Sequence, residues 1–548
     1  MEEKLFRSVI DRILDGSIHT RDGVDLAKRE LCERLGLSRF IRNSDILRYA
    51  RPSERHRLLS LLQKKPSRTL SGVAVVAAMT MPSKCPHGRC KYCPGGPDSD
   101  VPQSYTGKEP ATRRAIQYNF DPYLQTTFRL HQLKAIGHPI DKAELIVMGG
   151  TLTAQMLDYQ EFFVKGCLKA MNDFERNNRA IKRLGHDLFV EKYGKAKKPF
   201  EYMEDVQEAN EKASVRCVGI TFEPRPDWCK REQIDFMLGF GVTRVEIGVQ
   251  NPDDRIYKLV DRGHTVRDVV EATQQLKDSG LKIGYHMMPG IMGYKPKLDL
   301  DAFKKIFTDS RFKPDMLKIY PCIILKGTDY YDNWQKGKFV PLTTEQAVDI
   351  ITDVKAIMPR WVRTMRIMRD IPSNLVEAGI KDSNLGQLVY RRMEEKHVKC
   401  NCIRCREVGR FLQQGIEPST EDIELVRREY KASHGTEVFL SFEDVKQDIL
   451  IGFLRLRIPY KPFRPEITPK TALIRELHVY GPMVELGEKP EYRWQHRGYG
   501  KELLAESEKI ARRDYGMKRI LVTSGLGVRG YYRKSGYRNI GVYMGKSL

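Results

Sequence analysis

The chain has 548 residues, more than a single hydrophobic core usually supports, so two or three domains are expected. With 41% hydrophobic and 30% charged residues, its composition excludes a disordered or fibrous chain. The formal net charge of +23 is typical of proteins that bind a polyanion, with a basic surface kept for solubility as the alternative. Neither a signal peptide nor a membrane-spanning run is recognisable, which predicts a cytoplasmic protein without membrane contact.

The first 71 residues predict a small helical unit. Apolar residues recur at helical spacing over residues 2–16 and again over residues 25–35. Basic residues then greatly outnumber acidic ones between residues 37 and 69, which favours contact with a nucleic acid as much as a solvated helix face. The basic residues proposed for this contact are Arg51, Arg55, Arg57, Lys64 and Lys65.

A repeated strand and helix pattern occupies residues 72–360. The apolar runs are "VAVVAAM", "ELIVMGG", "CVGITFEP", "RVEIGVQ", "KIGYHMMPG" and "MLKIYP", and longer helical stretches separate them. This order predicts parallel strands with crossover helices, and therefore an α/β sheet or barrel. Polar residues follow or end successive strands, where barrels place their chemistry, although each taken alone is more often a structural hydrogen-bonding residue. They are Glu223, Arg225, Gln250, His286 and Lys318.

The first cysteine cluster follows the first of these strands. Cys85, Cys90 and Cys93 have the spacing C-x4-C-x2-C. Three thiolates hold three irons of a four-iron cluster and leave the fourth iron open to a substrate. A zinc site is the alternative, and His87 is the nearby residue able to complete it.

A second cysteine cluster lies in a segment predicted to be a linker, residues 361–420. Cys400, Cys402 and Cys405 have the spacing C-x-C-x2-C, which suits a structural zinc ion with Cys322 or His397 as fourth ligand. Buried free thiols are the alternative, because spacing fixes no fourth ligand.

Residues 421–548 predict a separate α+β domain, because two-residue periodicity in "VFLSFED" and "DILIGFLRLR" precedes a helix and further strands. The stretch "QHRGYGKELL" contains the pattern Q-x-x-G-x-G at the start of that helix. Successive backbone N–H groups of such a turn, with the helix N-terminus, form a cradle for a pyrophosphate. The strand "RELHVYG" precedes this turn.

The two motifs together are an unusual pair. The cysteine motif with Tyr92 resembles that of the radical S-adenosylmethionine enzymes, whose commonest spacing is one residue shorter, and the glycine turn resembles that of the Gcn5-related acetyltransferases. With "CPGGPDSD", "QSYTGKEPATRRAI", "DKAELIVMGGT", "RDIPS" and "RELHVYG", the chain resembles the catalytic subunits of Elongator, a family of tRNA wobble-uridine acetyltransferases, over nearly all of its length from Gly72.

This resemblance implies the fold class. We expect an α/β multidomain protein, in which a radical S-adenosylmethionine partial (β/α) barrel over residues 72–360 precedes an α+β Gcn5-related acetyltransferase domain over residues 421–548. The basic helical residues 1–71 would bind tRNA. A homo-oligomer and further Elongator-type subunits stay open.

The resemblance also implies the reaction. The family uses a four-iron, four-sulfur cluster, S-adenosylmethionine and acetyl-coenzyme A to modify tRNA. Reductive cleavage of S-adenosylmethionine gives a radical that takes hydrogen from the acetyl methyl group. The resulting carbon radical adds to C5 of the wobble uridine, and thioester hydrolysis leaves 5-carboxymethyluridine.

Residue roles are implied motif by motif. The cluster ligands would be Cys85, Cys90 and Cys93. The residues that would contact S-adenosylmethionine are Gly149, Gly150, Thr151, Glu223 and Gln250. Those that would contact acetyl-coenzyme A are Lys142, Glu476, Leu477, His478, Val479, Gln495, Gly498, Tyr499, Gly500, Lys501 and Tyr532. Tyr531, Tyr532 and Lys318 would be catalytic, and the contact from Lys142 requires that two domains share one ligand.

Two other functions remain open from the sequence. A protein lysine acetyltransferase with a regulatory iron–sulfur domain fits the glycine turn equally well. A noncatalytic tRNA-binding scaffold fits the basic segment if no cluster is bound.

Overall fold

The structure, a computed structural model, describes residues 2–37, 40–64, 69, 72–194, 201–480 and 498–548. Within the described residues, its N-terminal unit contains four helices: α1 (Glu2–Leu14), α2 (Arg21–Leu35), α3 (Asn43–Leu47) and α4 (Arg55–Leu62). The first two coincide with the two segments of helical periodicity. Thr20 caps α2 by accepting a hydrogen bond from the Gly23 amide, and Gly36 ends it in the left-handed region, with φ of 59°. The apolar helix faces enclose a small core of their own.

Within the described residues, seven strands form one parallel sheet in the order β1-β2-β3-β4-β5-β6-β8. They are β1 (Ala74–Met79), β2 (Lys142–Met148), β3 (Arg216–Phe222), β4 (Arg244–Gln250), β5 (Lys282–Met287), β6 (Met316–Ile319) and β8 (Arg363–Ile367). A small separate pair contains β7 (Ile324–Leu325) and β9 (Val376–Ala378). The described residues form no ladder between β1 and β8, so the sheet is a partial barrel with two open edges.

Helices cover the outside of this sheet. Those before β5 are α5 (Pro110–Gln117), α6 (Pro122–Ala135), α7 (Leu157–Asn172), α8 (Phe174–Leu184), α9 (His186–Tyr193), α10 (Met203–Glu211), α11 (Arg231–Gly239), α12 (Asp254–Leu259) and α13 (Val266–Asp278). Those after β5 are α14 (Pro296–Thr308), α15 (Asp329–Gln335), α16 (Thr344–Ala356), α17 (Leu385–Glu395), α18 (Ile403–Arg406) and α19 (Val408–Leu412).

Strand β8 corrects one feature of the sequence-based organisation. It lies within residues 361–420, which the sequence predicts to be a linker, yet it pairs with β6 as the last strand of the sheet. Its sequence "RTMRI" carries two arginines and so lacks the continuous apolar run of the other strands. An edge strand tolerates such residues because one of its sides lacks a neighbouring strand.

The C-terminal α+β domain contains a second seven-stranded sheet in the described residues, in the order β10-β11-β12-β13-β14-β16-β15. Its elements are β10 (Ile423–Ala432), β11 (Gly435–Asp444), β12 (Ile449–Ile458), β13 (Thr471–Val479), α20 (Tyr499–Arg513), β14 (Arg519–Val522), α21 (Arg529–Arg533), β15 (Arg538–Ile540) and β16 (Tyr543–Ser547). This confirms the predicted α+β domain.

The two sheets are joined by buried ion pairs. Arg475 of β13 pairs with Asp315, which precedes β6, and Arg457 of β12 pairs with Asp278 at the end of α13. All four side chains are fully buried. At the same interface, a Cβ atom on Gly525 would lie 2.1 Å from the Val218 carbonyl oxygen, so only glycine fits there. None of the described helices is both long and apolar enough to span a membrane.

Candidate active site in the partial barrel

A cavity of about 1740 Å³ lies inside the partial barrel and reaches the carboxyl ends of its strands. Most residues predicted from motifs and strand ends line it together, although they are far apart in the sequence. Those residues are Cys85, Cys90, Cys93, Gly149, Gly150, Thr151, Glu223, Arg225, Gln250, His286 and Lys318. This arrangement is typical of barrels, in which loops at the carboxyl ends of strands carry the chemistry.

The three cysteines of the first cluster meet at the top of this cavity, and Cys90 and Cys93 are buried. Each sulfur has a polar neighbour: Thr151 Oγ1 lies 3.7 Å from Cys85, Arg262 Nη1 lies 3.6 Å from Cys90, and Ser104 Oγ lies 3.2 Å from Cys93. The three sulfurs do not all lie within 4.8 Å of one another, as ligands of a single ion would. The donor set therefore fits a multi-iron cluster better than one zinc ion.

His87 supports the cluster site from beside Cys90. Its Nδ1 accepts a hydrogen bond from Arg225 Nη1 at 2.6 Å, since a guanidinium group can only donate. Burial, followed by the charge of Arg225, lowers the pKa of His87 to about 3, so the ring is neutral. The proton is therefore on Nε2, which donates to the Cys90 sulfur 3.2 Å away. This hydrogen bond stabilises a Cys90 thiolate without using His87 as a metal ligand.

Two glycines open the cavity wall beside the cluster. Gly149 has φ of 104°, and a Cβ atom there would lie 2.7 Å from Thr80 Oγ1. Gly150 also has positive φ, and its Cβ would approach Ser83. Across the cavity, Gln250 adopts φ of 63° and its buried Oε1 atom lacks a hydrogen-bond partner among the described residues. A strained residue with an unsatisfied acceptor favours a polar ligand, and the amino and hydroxyl groups of S-adenosylmethionine fit this requirement.

Lys318 lies deeper in the barrel, between two carboxylates. Its ammonium group is 2.6 Å from Glu223 and 2.5 Å from Glu246, and His286 is 2.9 Å from Glu246. Burial alone lowers the pKa of Lys318, but Glu223 and Glu246 outweigh it and raise the pKa well above its ordinary value. Lys318 therefore stays charged and is a fixed hydrogen-bond donor inside the cavity.

The sequence analysis missed several residues of this interior. Glu246 is buried on β4 and also binds Arg244 Nε at 2.9 Å, while Arg244 Nη1 contacts Glu144 at 2.6 Å. Arg262 donates to the Gly248 carbonyl oxygen at 2.7 Å as well as to Cys90. A glutamate inside the apolar run "RVEIGVQ" was the available signal, because a buried charge requires a partner.

A second candidate site lies in the C-terminal sheet, where β13 and β14 diverge. The two strands pair in parallel only from Thr471–Arg519 to Ile474–Val522. Beyond that point β13 continues to Val479 and pairs only with β12 among the described strands. The edge of β13 at Glu476, Leu477 and His478 therefore lies beyond the ladder with β14 among the described strands, and such an edge suits an extended ligand, the shape expected of acetyl-coenzyme A. Val479, also predicted to contact it, ends the strand.

Helix α20 begins beside this open edge. Gly498 is its N-cap, with φ of 92°, and Tyr499, Gly500 and Lys501 form the first turn. The Lys501 N–H donates to the Gly498 carbonyl oxygen at 2.8 Å. A Cβ atom on Gly500 would lie 2.9 Å from the Tyr531 hydroxyl. Tyr531 contacts buried Tyr532 edge to face, with ring centroids 5.3 Å apart. Gln495, also predicted to bind here, lies outside the described residues.

Lys142 connects the two candidate sites electrostatically. It begins β2 of the barrel, yet its charge acts on His478 of β13 in the acetyltransferase domain. Burial lowers the pKa of His478 to about 4, and the charges of Arg363, Lys282 and Lys142 act in the same direction. The placement agrees with the expectation that Lys142 reaches a ligand held mainly by the other domain.

The second cysteine cluster has a neighbour that spacing did not predict. The sulfurs of Cys400, Cys402 and Cys405 lie within 4.8 Å of one another. Lys355 Nζ donates to Cys402 and to Cys405, at 3.3 Å each. Burial raises the pKa of Cys402, but hydrogen bonds from Cys400 and Cys405 and the charge of Lys355 hold it well below its ordinary value.

The residues suggested as fourth ligand of this cluster do not join it. Cys322 is buried elsewhere, in the apolar group that contains Cys90 and Cys93, because it follows β6 at the opposite end of the barrel strands. His397 is not among the metal-binding groups of the described residues. Whether either residue reaches the cluster depends on its position in the fold, which the spacing of cysteines along the sequence does not determine.

The residues predicted to contact nucleic acid differ in exposure and in their hydrogen bonds within the N-terminal unit. Arg51 is 74% exposed, 3.9 Å from Glu54. Arg55 donates to the Leu47 carbonyl oxygen and Arg57 to that of Leu14. Lys64 is exposed, and Lys65 lies outside the described residues.

Family models match the chain in four places. They are the ELP3 N-terminal domain over residues 2–70, the radical SAM superfamily over 79–297, the radical SAM C-terminal domain over 314–395, and the acetyltransferase (GNAT) family over 409–537. The match at residues 314–395 agrees with the position of β8 in the barrel sheet.

Similar proteins cover the whole chain. A tRNA uridine(34) acetyltransferase of Methanocaldococcus infernus is 52% identical and covers 100% of both chains. Elongator complex protein 3 of Homo sapiens is 39% identical over 98% of this chain and 96% of its own. A solved structure of archaeal Methanocaldococcus infernus Elp3 with an N-terminal deletion has a TM-score of 0.74 and 48% identity, covering 87% of this chain and 100% of that one. With its cysteine-lined partial barrel and acetyltransferase groove, this chain belongs to the family of Elongator complex protein 3 and the tRNA uridine(34) acetyltransferases.

Proposed function

We propose that this protein converts the wobble uridine of tRNA to 5-carboxymethyluridine, with acetyl-coenzyme A as the carbon source. One observation carries the proposal: β2 begins at Lys142, whose charge contributes to lowering the pKa of His478 in the acetyltransferase groove, and is followed by Gly149, beside the cysteine-lined cavity. Seven residues of a parallel strand span roughly 20 Å. This arrangement supports a reaction in which sites at the two ends of one strand act together.

Specific residues would hold each group. Cys85, Cys90 and Cys93 would bind the four-iron, four-sulfur cluster, and the loop at Gly149 with Gln250 would bind S-adenosylmethionine. Bound there, the two supply one-electron chemistry at the carboxyl ends of the strands. The open edge of β13 and the first turn of α20 would bind acetyl-coenzyme A through backbone hydrogen bonds.

The chain's own side chains would orient the thioester and the uridine through hydrogen bonds. The Tyr531 hydroxyl lies at the glycine turn and would position the thioester or a water molecule. Tyr532 is buried behind it and keeps the Tyr531 ring in place. Lys318, held charged by Glu223 and Glu246, would donate a hydrogen bond to a uridine carbonyl oxygen that enters the cavity. The carbonyl carbon C4 is bonded to C5, so a contact to its oxygen would orient the base for addition at C5.

The second cysteine cluster would need a fourth ligand, and a different position of Lys355, to hold a zinc ion. The described residues supply three thiols, and Lys355 occupies the position near two of them. A closed structural zinc site requires four ligands. Zinc therefore stays a prediction, which metal analysis of the parent protein and of Cys402→Ser would test. A cytoplasmic location and any oligomer or further subunits also stay predictions.

The test uses anaerobically reconstituted protein with acetyl-coenzyme A labelled in the acetyl carbons. Labelled carboxymethyluridine is expected in tRNA nucleosides measured by mass spectrometry. Cys93→Ala should retain acetyl-coenzyme A binding and lose the nucleoside, because two thiolates do not hold the cluster. Label on protein lysines and none on uridine would instead favour the lysine acetyltransferase function.

A further inference from the structure

The cavity of the partial barrel extends beyond the cysteine cluster. One branch follows the open edge at β1, past α5 and α6, as far as Thr69, where the N-terminal unit joins the barrel. Thr69 Oγ1 lies 2.9 Å from His138 Nδ1, which follows α6. The branch therefore connects the reaction cavity with the basic N-terminal helices.

Basic side chains line this branch. Arg113, Arg114 and Arg129 face it from α5 and α6. The acidic residue in the same lining, Glu109, is buried and accepts hydrogen bonds from Thr106 and Thr112, so its carboxylate is already used. The wall of the branch is therefore positive.

Arg114 is the central residue of this wall. Its Nη2 donates to the Ala77 carbonyl oxygen of β1 at 2.6 Å, while its buried Nε lacks a hydrogen-bond partner among the described residues. No carboxylate of the described chain pairs with it. Burial lowers the pKa of Arg114 to about 10, and Arg129 acts in the same direction, so the group stays charged near neutrality. A half-buried cation with an unsatisfied, buried Nε and no carboxylate partner points to an anionic ligand.

His131 provides a second unsatisfied group in the same branch. Its Nε2 is buried and has no partner in the described part of the chain. Burial, followed by the charge of Lys134, lowers the pKa of His131 to about 4, so its neutral ring offers one donor or acceptor. The aromatic rings of Tyr118 and Phe128 stack at 4.8 Å beside it and also line the branch.

We propose that Arg114, Arg129 and His131 form a subsite for a phosphodiester group of single-stranded RNA, next to the nucleotide whose base enters the cavity. The inference rests on the proposed function and adds the path of the RNA. An elongated, open groove lined by cations and by the partly exposed Phe128 matches single-stranded RNA, in which phosphates and bases alternate. The pyrophosphate of acetyl-coenzyme A has its own cradle at α20, so it does not require this groove.

The experiment compares the full chain with Arg114→Gln and Arg129→Gln. The probe is an anticodon stem-loop RNA, and its Kd is measured by fluorescence anisotropy over a salt series. Each variant should bind on the order of tenfold more weakly, with a log–log salt slope shallower by about one. Arg391→Gln, an exposed arginine of α17 outside the cavity, is the matched control and should bind as the parent does.

Single methylphosphonate substitutions in the RNA loop identify the phosphate. One position should weaken binding to the parent and should have no further effect with Arg114→Gln, because both changes remove the same contact. Retained acetyl-coenzyme A affinity shows that the variant is folded. Additive effects at every position, or variants that bind like the parent, would overturn the subsite.

Two further outcomes distinguish failure of the RNA subsite from failure of the proposed function. If Arg114→Gln leaves the affinity for the stem-loop RNA unchanged but removes the ability of inorganic phosphate to compete with that RNA, the groove binds a free phosphate. The RNA proposal is then wrong. If the parent binds the stem-loop through Arg114 but forms no uridine product, the subsite stands and the proposed function fails.

Discussion

Arg475 makes two hydrogen bonds to the carboxylate of Asp315, from Nη1 to Oδ2 at 2.6 Å and from Nη2 to Oδ1 at 2.7 Å. Both side chains are fully buried. Arg475 directly precedes Glu476, where acetyl-coenzyme A is proposed to bind along β13, and Asp315 directly precedes β6 of the barrel. The pair therefore fixes the acetyltransferase groove to the barrel sheet.

Replacing Asp315 with asparagine should strongly destabilise the protein. It leaves the Arg475 charge buried with one fewer carboxylate, and loss of one partner of a buried pair typically costs about 3–5 kcal/mol. A large decrease in the thermal midpoint is expected in differential scanning fluorimetry. Asp353→Asn, an exposed aspartate of α16, is the control. Equal midpoints for the two variants would show that the pair does not hold the domains together.

The same pair predicts a pH dependence of stability. Burial raises the pKa of Asp315, but Arg475 and Lys277 outweigh it and hold the pKa well below its usual range. The stabilisation is therefore complete above the unfolded-state pKa of about 3.9 and is lost as pH falls through the lower folded-state value. In thermal midpoints measured from pH 7 downwards, Asp315→Asn should show a smaller acid-induced decrease than the parent.

Gly500→Val should abolish acetyl-coenzyme A binding. A Cβ atom at this position would lie 2.9 Å from the Tyr531 hydroxyl and 3.6 Å from Val479, so the added methyl groups fill the space at the groove. Isothermal titration calorimetry should detect no binding, while the iron–sulfur absorbance remains. Gly239→Ala, at a position with open space around it, is the control. Parent-like affinity of Gly500→Val would place the ligand elsewhere.

Lys318→Met should eliminate the uridine product without loss of the cluster. It leaves Glu223 and Glu246 without their shared cation, so the pKa of Glu246 should rise, with Arg244 as its remaining cationic partner. Nucleoside mass spectrometry and cluster absorbance are the two measurements, and Lys304→Met on exposed α14 is the control. Adding Glu246→Gln to Lys318→Met should recover thermal stability but not product. Full activity of Lys318→Met would remove this residue from the mechanism.

Arg51→Gln should make the salt slope of tRNA binding shallower by about one unit, the value expected for one phosphate contact. Arg51 is exposed, whereas Arg55 and Arg57 donate to backbone carbonyl oxygens of their own unit. Arg55→Gln should therefore change the slope less than Arg51→Gln. Arg29→Gln on exposed α2 is the control for filter binding. An unchanged slope for Arg51→Gln would make this segment a solvated surface.

Local motifs allowed much of this site to be predicted. The spacing of Cys85, Cys90 and Cys93 and the turn at Gly498 are properties of a few neighbouring residues. The positions of Lys355 beside Cys402 and of Arg262 beside Cys90 depend on the packing of distant elements, which no spacing encodes. For the same reason the sequence misplaced Cys322 and did not identify β8.

The length of strand β2 limits which insertions and deletions this protein can tolerate. Because Lys142 begins β2 and Gly149 directly follows it, strand length rather than a flexible tether sets the separation of the two proposed reaction centres. An inserted or deleted residue in β2 would reverse the direction of every following side chain and shift one centre against the other. Length variation should therefore be tolerated in the outer helices and loops, whereas a transplanted acetyltransferase domain would function only if it reproduced the position of Arg475 against Asp315.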